Sequence, residues 1–368
     1  MAIKGYVIEP NYATPPGATL KEVLEEKMMT QADLAQRIGL TTKTISKIVN
    51  GTAPLSPETA SNLELVLGIP ASFWNNLEVN FRANIEELRK KEEIVAQIDF
   101  IKNSPYNEMA KAGLVEKTKD NIEKVENILR FFACASVDIL QSQIKDNKVL
   151  AGAYRGSATA EVNDLALYAW IRQGEILANK IETEEFDKIK ARESIKALRS
   201  LTNETNPSVF IPKLQEICAS FGVAVVFVPE VKGSRVCGLT RWLTPHPKAI
   251  IQLSLRYKTN DSLWFTFFHE LGHIIMHNKQ PFYTFNRAYV ESNMEKEANN
   301  FASNILIPED EYLKFINKGI YSREHIIVFS NEISIHPGIV IGRLQNDKYL
   351  EWSRFSDLKQ RYTWEIKK

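Results

Sequence analysis

WFTFFHELGHIIMH, residues 264–277, sets the architecture of the C-terminal half of this chain. Apolar and aromatic residues occupy most of its positions, so it is expected to be a helix buried around nearly its whole circumference. Set into that run are His269 and His273, four residues apart, which one helical face places side by side. Two imidazoles so placed can grip a single cation, and Zn2+ suits them, taking ring nitrogens at about 2.0–2.1 Å in tetrahedral geometry. Zinc also lowers the pKa of a coordinated water to roughly 7. Glu270, the next residue along, is placed to take a proton from that water as general base. Phe265, Phe268, Leu271, Ile274 and Ile275 would bury the rest of the helix and hold the site rigid.

A catalytic zinc ion needs a third protein ligand. His277 continues the same face, but a straight helix carries its third turn past the ion. The longer His-Glu-x-x-His-x-x-Gly-x-x-His arrangement needs a glycine turn that is absent here. A carboxylate from a following helix fits better, and ESNMEKEANNFASNIL, residues 291–306, offers Glu295 and Glu297. With Ala298, Phe301, Ala302 and Ile305 on its buried face, Glu295 falls at the edge of the packed stripe and is favoured. Glu297, four before Phe301, stays open, and either could be a solvated glutamate. His277 and His336 are candidates to stand behind the ligands. His336 precedes Pro337 and reads equally as a helix-end residue, and Arg343 as either a substrate anchor or an ion-paired arginine.

Before this helix the texture is different. GVAVVFV (222–228) and KAIIQLSL (248–255) are β-branched runs bounded by Gly and Pro, which predict strands. KAIIQLSL is expected at a sheet edge, where it could align an extended peptide by main-chain pairing. Residues 105–200, including LALYAWIRQGEILANKI, have helical periodicity without recognisable chemistry, and NIEELRKKEEIVAQI before them is a charged connector.

After an irregular leader ending at Pro15, Pro16 and Gly17, residues up to Phe81 divide into five short helices. In ATLKEVLEEKMM, Leu20, Val23, Leu24 and Met28 share one face. Thr30 can cap TQADLAQRI, and Asp33 in its first turn suits the helix dipole. Gly39 ends that helix, and a tight turn leads to TKTISKIV. There Ile45 and Ile48 face inward, while Thr42, Lys43, Thr44, Ser46 and Lys47 face outward. A second helix with an exposed polar and basic face, set after a short glycine turn, is what major-groove reading requires. The same pattern also occurs in simple helical bundles.

The chain's 368 residues favour two or three domains, and its composition, 44% hydrophobic and 25% charged, is that of a soluble globular protein. A net charge of +1 excludes binding to nucleic acid through overall basicity, so any contact must come from a local patch. Three scattered cysteines, Cys134, Cys218 and Cys237, argue against a disulfide framework or a thiolate cluster and fit a reducing cytoplasm. MAIKGYVIEPNY has no apolar core of a signal peptide, and no run is long enough to span a membrane.

Residues 30–81 resemble the Xre/Cro-type domain of HigA-family antitoxins. The resemblance implies a lambda-repressor-like all-α fold, with base-reading positions at Thr42, Lys43 and Lys47 and a phosphate-supporting position at Gln31. It also implies double-stranded operator DNA bound by a homodimer. HELGHIIMH and EKEANNFASNILIP, with residues 200–345 around them, are similar to the ImmA/IrrE zinc metallopeptidases. That similarity implies an α+β zincin-like fold, one Zn2+ per chain held by two histidines and a glutamate, and a protein or peptide substrate such as a toxin, an antitoxin or a repressor. The expected organisation is a helix-turn-helix domain over 1–82, a helical middle segment over 83–200 and a metallopeptidase domain with C-terminal helices over 201–368. The function expected is a cytoplasmic DNA-binding regulator carrying a peptidase. The alternative is a non-enzymatic antitoxin and autorepressor whose zincin domain only binds a toxin or signal.

Overall fold

In a computed structural model, which describes residues 13–146, 163–243, 248–277, 282–284 and 293–364, the chain divides into two units, Met1–Asp99 and Phe100–Lys368. The leader MAIKGYVIEPNY lies outside the described residues.

Among the described residues, five helices lie wholly within the first unit: α1 Pro16–Glu26, α2 Gln31–Ile38, α3 Thr42–Val49, α4 Pro57–Leu67 and α5 Ala71–Ala96. Local chemistry sets their ends. The Thr30 side chain accepts from the Asp33 amide while the Asp33 carboxylate accepts from the Thr30 amide, a reciprocal cap on α2. Gly39, at φ 70°, closes that helix in a left-handed conformation that a residue with a side chain adopts only under strain. Thr41 and Ser56 cap α3 and α4, accepting from the amides of Thr44 and Thr59. Leu20, Leu34, Ile45, Leu63 and Trp74 meet in one buried core. Met28 departs from expectation. α1 stops at Glu26, so Met28 falls beyond it at φ 50° and is 94% exposed, and Met29 packs on the core instead. The fifth helix runs on without a break through the charged stretch to Ala96, with Trp74 and Phe81 its buried residues.

The second unit is centred on a four-stranded sheet in the order β1-β3-β2-β4, from β1 Val223–Phe227, β2 Gly238–Leu243, β3 Lys248–Leu253 and β4 Phe282–Thr284. β1 and β3 are parallel, and β2 is antiparallel to both β3 and β4. KAIIQLSL is therefore an interior strand, hydrogen-bonded on both sides, and the expectation that it presents a free edge to a peptide is overturned. Its largely apolar character reflects burial of both sheet faces. Val223, Val225, Ala249, Ile251 and Leu253 join the main core with Phe210, Trp264 and Phe267. Gln252, pointing the other way, donates to the Trp170 carbonyl at 2.6 Å. Trp170 belongs to the helix Asp164–Ala178, which packs on β1 and β3 and donates from its indole to the Val228 carbonyl at 3.1 Å. LALYAWIRQGEILANKI thus covers one face of the sheet.

On the main core lie the helix Asn260–Met276, here called the histidine helix, the glutamate helix Asn293–Leu306 and the helix Pro337–Asn346. Among the described residues no helix is long and apolar enough to cross a membrane.

Candidate functional site

The histidine helix is held hard at its start. The Asn260 amide donates to the Gln360 carbonyl, Tyr362 donates to Lys258, and Lys359 forms a 2.9 Å ion pair with Asp261 in which both side chains are buried. Nearly every residue from Asn260 to Ile275 is buried, as an all-round apolar sequence requires. His269 and His273, one turn apart, bring their Nε2 atoms within 3.0 Å of each other. Glu295, in the first turn of the glutamate helix, reaches both, with Oε2 3.2 Å from His269 Nε2 and Oε1 3.3 Å from His273 Nε2. Among the described residues this trio is the group whose ligand atoms converge as a metal site does, all within 4.8 Å of one another.

The surroundings fit the trio to a cation. His269 Nδ1 lies 2.9 Å from the Asn299 Oδ1, an acceptor, so a neutral His269 carries its proton on Nδ1 and turns the Nε2 lone pair toward the trio. Two imidazole lone pairs and a carboxylate around one point suit zinc. Burial pushes the His273 imidazole down to about 4, favouring the neutral form that ligates. Burial alone would raise the Glu295 carboxyl, but the two histidines lying against it outweigh that and bring it down to about 2. Burial likewise opposes charge on His269, and there Glu295 and Glu270 prevail and raise its pKa.

Glu270 is wholly buried beside the trio. Its carbonyl accepts from the Thr240 hydroxyl at 3.0 Å, and its carboxylate lies against the first residue of β2. A β-carbon on Gly238 would come within 2.6 Å of Glu270 Oε1 and 2.5 Å of Thr266 Cγ2, so the strand approaches this closely only because Gly238 has no side chain.

Glu297 stands apart from the trio. It is exposed and accepts from His277, 3.1 Å from Nε2, while His277 Nδ1 lies 2.9 Å from His273 Nδ1. His336 lies against Asn260, at the start of the histidine helix. It caps the helix Pro337–Asn346, its Nδ1 accepting from the Gly338 amide at 3.0 Å and from the Asn260 side chain at 2.8 Å. Arg343 is ion-paired with Asp347 at 2.7 Å and lies over the Tyr312 ring. A cavity of about 300 Å³ opens beside His269 and Glu295, its walls including Phe265, Asn299, Leu306 and Arg343.

Two contributors escaped the sequence reading. Asn299 was legible, being four residues after Glu295 on the same helical face. Arg199 was not. From a distant segment its guanidinium donates to the carbonyls of Ile305 and Leu306, at the end of the glutamate helix, and to those of Ile333 and Ser334.

On the first unit, Thr42, Lys43 and Lys47 are exposed along α3, and Gln31 begins α2 half-buried. Thr44, expected to face outward, is half-buried, and its hydroxyl lies 2.9 Å from that of Thr41 in the cap of α3.

A helix-turn-helix family model matches residues 20–74, and a peptidase-family model, the IrrE N-terminal-like domain, matches residues 218–333. Among solved structures, a putative antidote protein of a plasmid maintenance system from Nostoc punctiforme shares 24% identity over 22% of this chain and 90% of its own, with a TM-score of 0.22. An addiction module antidote protein of the HigA family from Coxiella burnetii shares 23% over 23% of this chain and 94% of its own, with a TM-score of 0.21. The antitoxin GraA shares 28% over 23% and 92%, with a TM-score of 0.22. No curated protein matches the chain.

Proposed function

For a chain that joins an Xre-type helix-turn-helix domain to an IrrE-like peptidase-family domain, we propose a DNA-binding regulator whose second unit hydrolyses a peptide bond in a regulatory protein, or in a copy of itself, with one zinc ion. The observation that carries this reading is the convergence of His269, His273 and Glu295 on one point, with the buried Glu270 carboxylate alongside. Zinc, when held there, supplies Lewis acidity toward a peptide carbonyl and a water acidified toward neutrality. The chain's own residues do the rest. His269 and His273 present neutral nitrogens, Glu295 balances charge, and Glu270 takes up the proton at its carboxylate and returns it to the leaving amine. The cavity beside His269 gives a substrate side chain a place to sit.

At the other end of the chain, Lys43 and Lys47 project from α3 to donate to guanine edges or phosphate, with Thr42 beside them and Gln31 against the backbone. A homodimer on a palindromic operator near its own gene is the arrangement proposed. The peptidase is tested with Glu270→Gln, which keeps its zinc and loses cleavage of the partner protein or of the chain itself. A variant that still cleaves removes Glu270 from this role. DNA reading is tested by shift assay on the upstream DNA, and equal affinity for scrambled sequence, unchanged in Lys43→Ala, would sink it.

A further inference from the structure

Behind His273, on the side away from the trio, stands a second histidine in contact with a carboxylate. His277 lies one residue beyond the histidine helix, where the backbone turns extended (φ −105°, ψ 165°). There its ring swings back under His273. Its Nδ1 is 2.9 Å from His273 Nδ1, and its Nε2 is 3.1 Å from Glu297 Oε2. Its side chain is 5% exposed, whereas that of Glu297 is 56% exposed.

The chemistry of the three groups fixes the direction of these bonds. If His273 turns the Nε2 lone pair toward a cation, its one proton sits on Nδ1 and must be donated. His277 Nδ1 is then the acceptor, so the proton of His277 sits on Nε2 and is donated to the Glu297 carboxylate. Reversing either bond would put two protons or two lone pairs face to face. From this we infer that His277 and Glu297 form a relay that orients His273 and increases its basicity toward the metal, a positioning role resting on the zinc reading above. The two histidine ligands are thereby held differently. His269 leans on the neutral amide of Asn299, and His273 on an imidazole anchored by a carboxylate. Glu297 thus has a part in the site without being a ligand.

The test uses the full chain and zinc alone, with affinity read by competition against a fluorescent chelator. His277→Phe keeps an aromatic ring but has neither nitrogen, and it is expected to weaken zinc binding by about 10- to 100-fold, the range found when such supporting partners are removed. Glu297→Ala should weaken binding in the same direction but less, and Glu297→Gln, which keeps an acceptor for the His277 proton, should recover part of the loss. The metal-free thermal midpoint should be unchanged in both glutamate variants, which a merely structural role would not give. Nitrogen-15 spectra of the zinc-loaded chain should place the protons on His273 Nδ1 and His277 Nε2. If the wild type binds one zinc tightly and the variants bind it equally well, the relay is wrong and the zinc site stands. If the wild type binds no zinc, both fall together.

Discussion

Replacing Arg199 with alanine removes a cation that ties down the ends of two helices at once. Its guanidinium donates to the Ile305 carbonyl at 2.7 Å, Leu306 at 3.1 Å, Ile333 at 2.7 Å and Ser334 at 3.3 Å. The first two close the helix that bears Glu295, and the others lie just past the helix Arg323–Glu332. A charged donor contributes about 1.5–3 kcal/mol per hydrogen bond where it is well buried. Arg199 is only half-buried, and the freed carbonyls can rehydrate, so the sum of the bonds is an overestimate. A cation at a helix C-terminus adds about 0.3–1 kcal/mol per helix. Together these give an expected loss of about 2–3 kcal/mol for Arg199→Ala, or roughly 4–10 °C in thermal midpoint for a unit of this size. Arg199→Lys keeps the charge but not the planar fork that spans separate carbonyls, and should recover less than half. Urea and thermal unfolding, followed by far-UV circular dichroism, read both variants. A loss below about 0.5 kcal/mol in the alanine variant, or full recovery by lysine, would refute the bridging role.

Lys359→Met leaves Asp261 buried without its cation and should cost the second unit about 3–5 kcal/mol in urea unfolding, and a cost near zero would show that the pair contributes little. Lys43→Ala and Lys47→Ala should each lower the slope of log affinity against log salt by about one, measured on double-stranded DNA; an unchanged slope removes that lysine from phosphate contact. Burial alone would raise the Asp347 carboxyl, but hydrogen bonds from Arg343, Tyr312 and Asn346 outweigh it and hold it below its ordinary value. Its contribution to stability is therefore complete above the ordinary value of 3.8 and lost as pH falls through the lower folded value. Asp347→Asn should flatten the acid limb of the stability profile, and an identical limb would contradict this.

The first unit was legible because its signals are local. Thr30 with Asp33, Gly39, Ser56 with Pro57 and Gly68 each act within one turn of the chain, the first and third starting a helix and the glycines ending one where expected. Met28 was misplaced because helical periodicity continues past Glu26 while the backbone does not. In the second unit the pair His269 and His273 announces itself by spacing alone. The strand GLTRWL does not, since Arg241 and Trp242 interrupt any run of branched residues, and β2 exists because β3 and β4 pair with it on either side. The position of β3 in the sheet interior could not be read either, because a mostly apolar strand gives no sign of how many neighbours it has. Arg199 was invisible for the same reason, since its four acceptors lie more than a hundred residues away.

The zinc site is tested by the zinc content of protein purified without chelator, measured for the wild type, Glu295→Gln and Glu297→Gln. The convergence of His269, His273 and Glu295 predicts near one zinc per chain in the wild type, most of it lost in Glu295→Gln and retained in Glu297→Gln. A chain that takes up no zinc even on reconstitution, or that loses it only when Glu297 is changed, would show that His269, His273 and Glu295 are not the metal site.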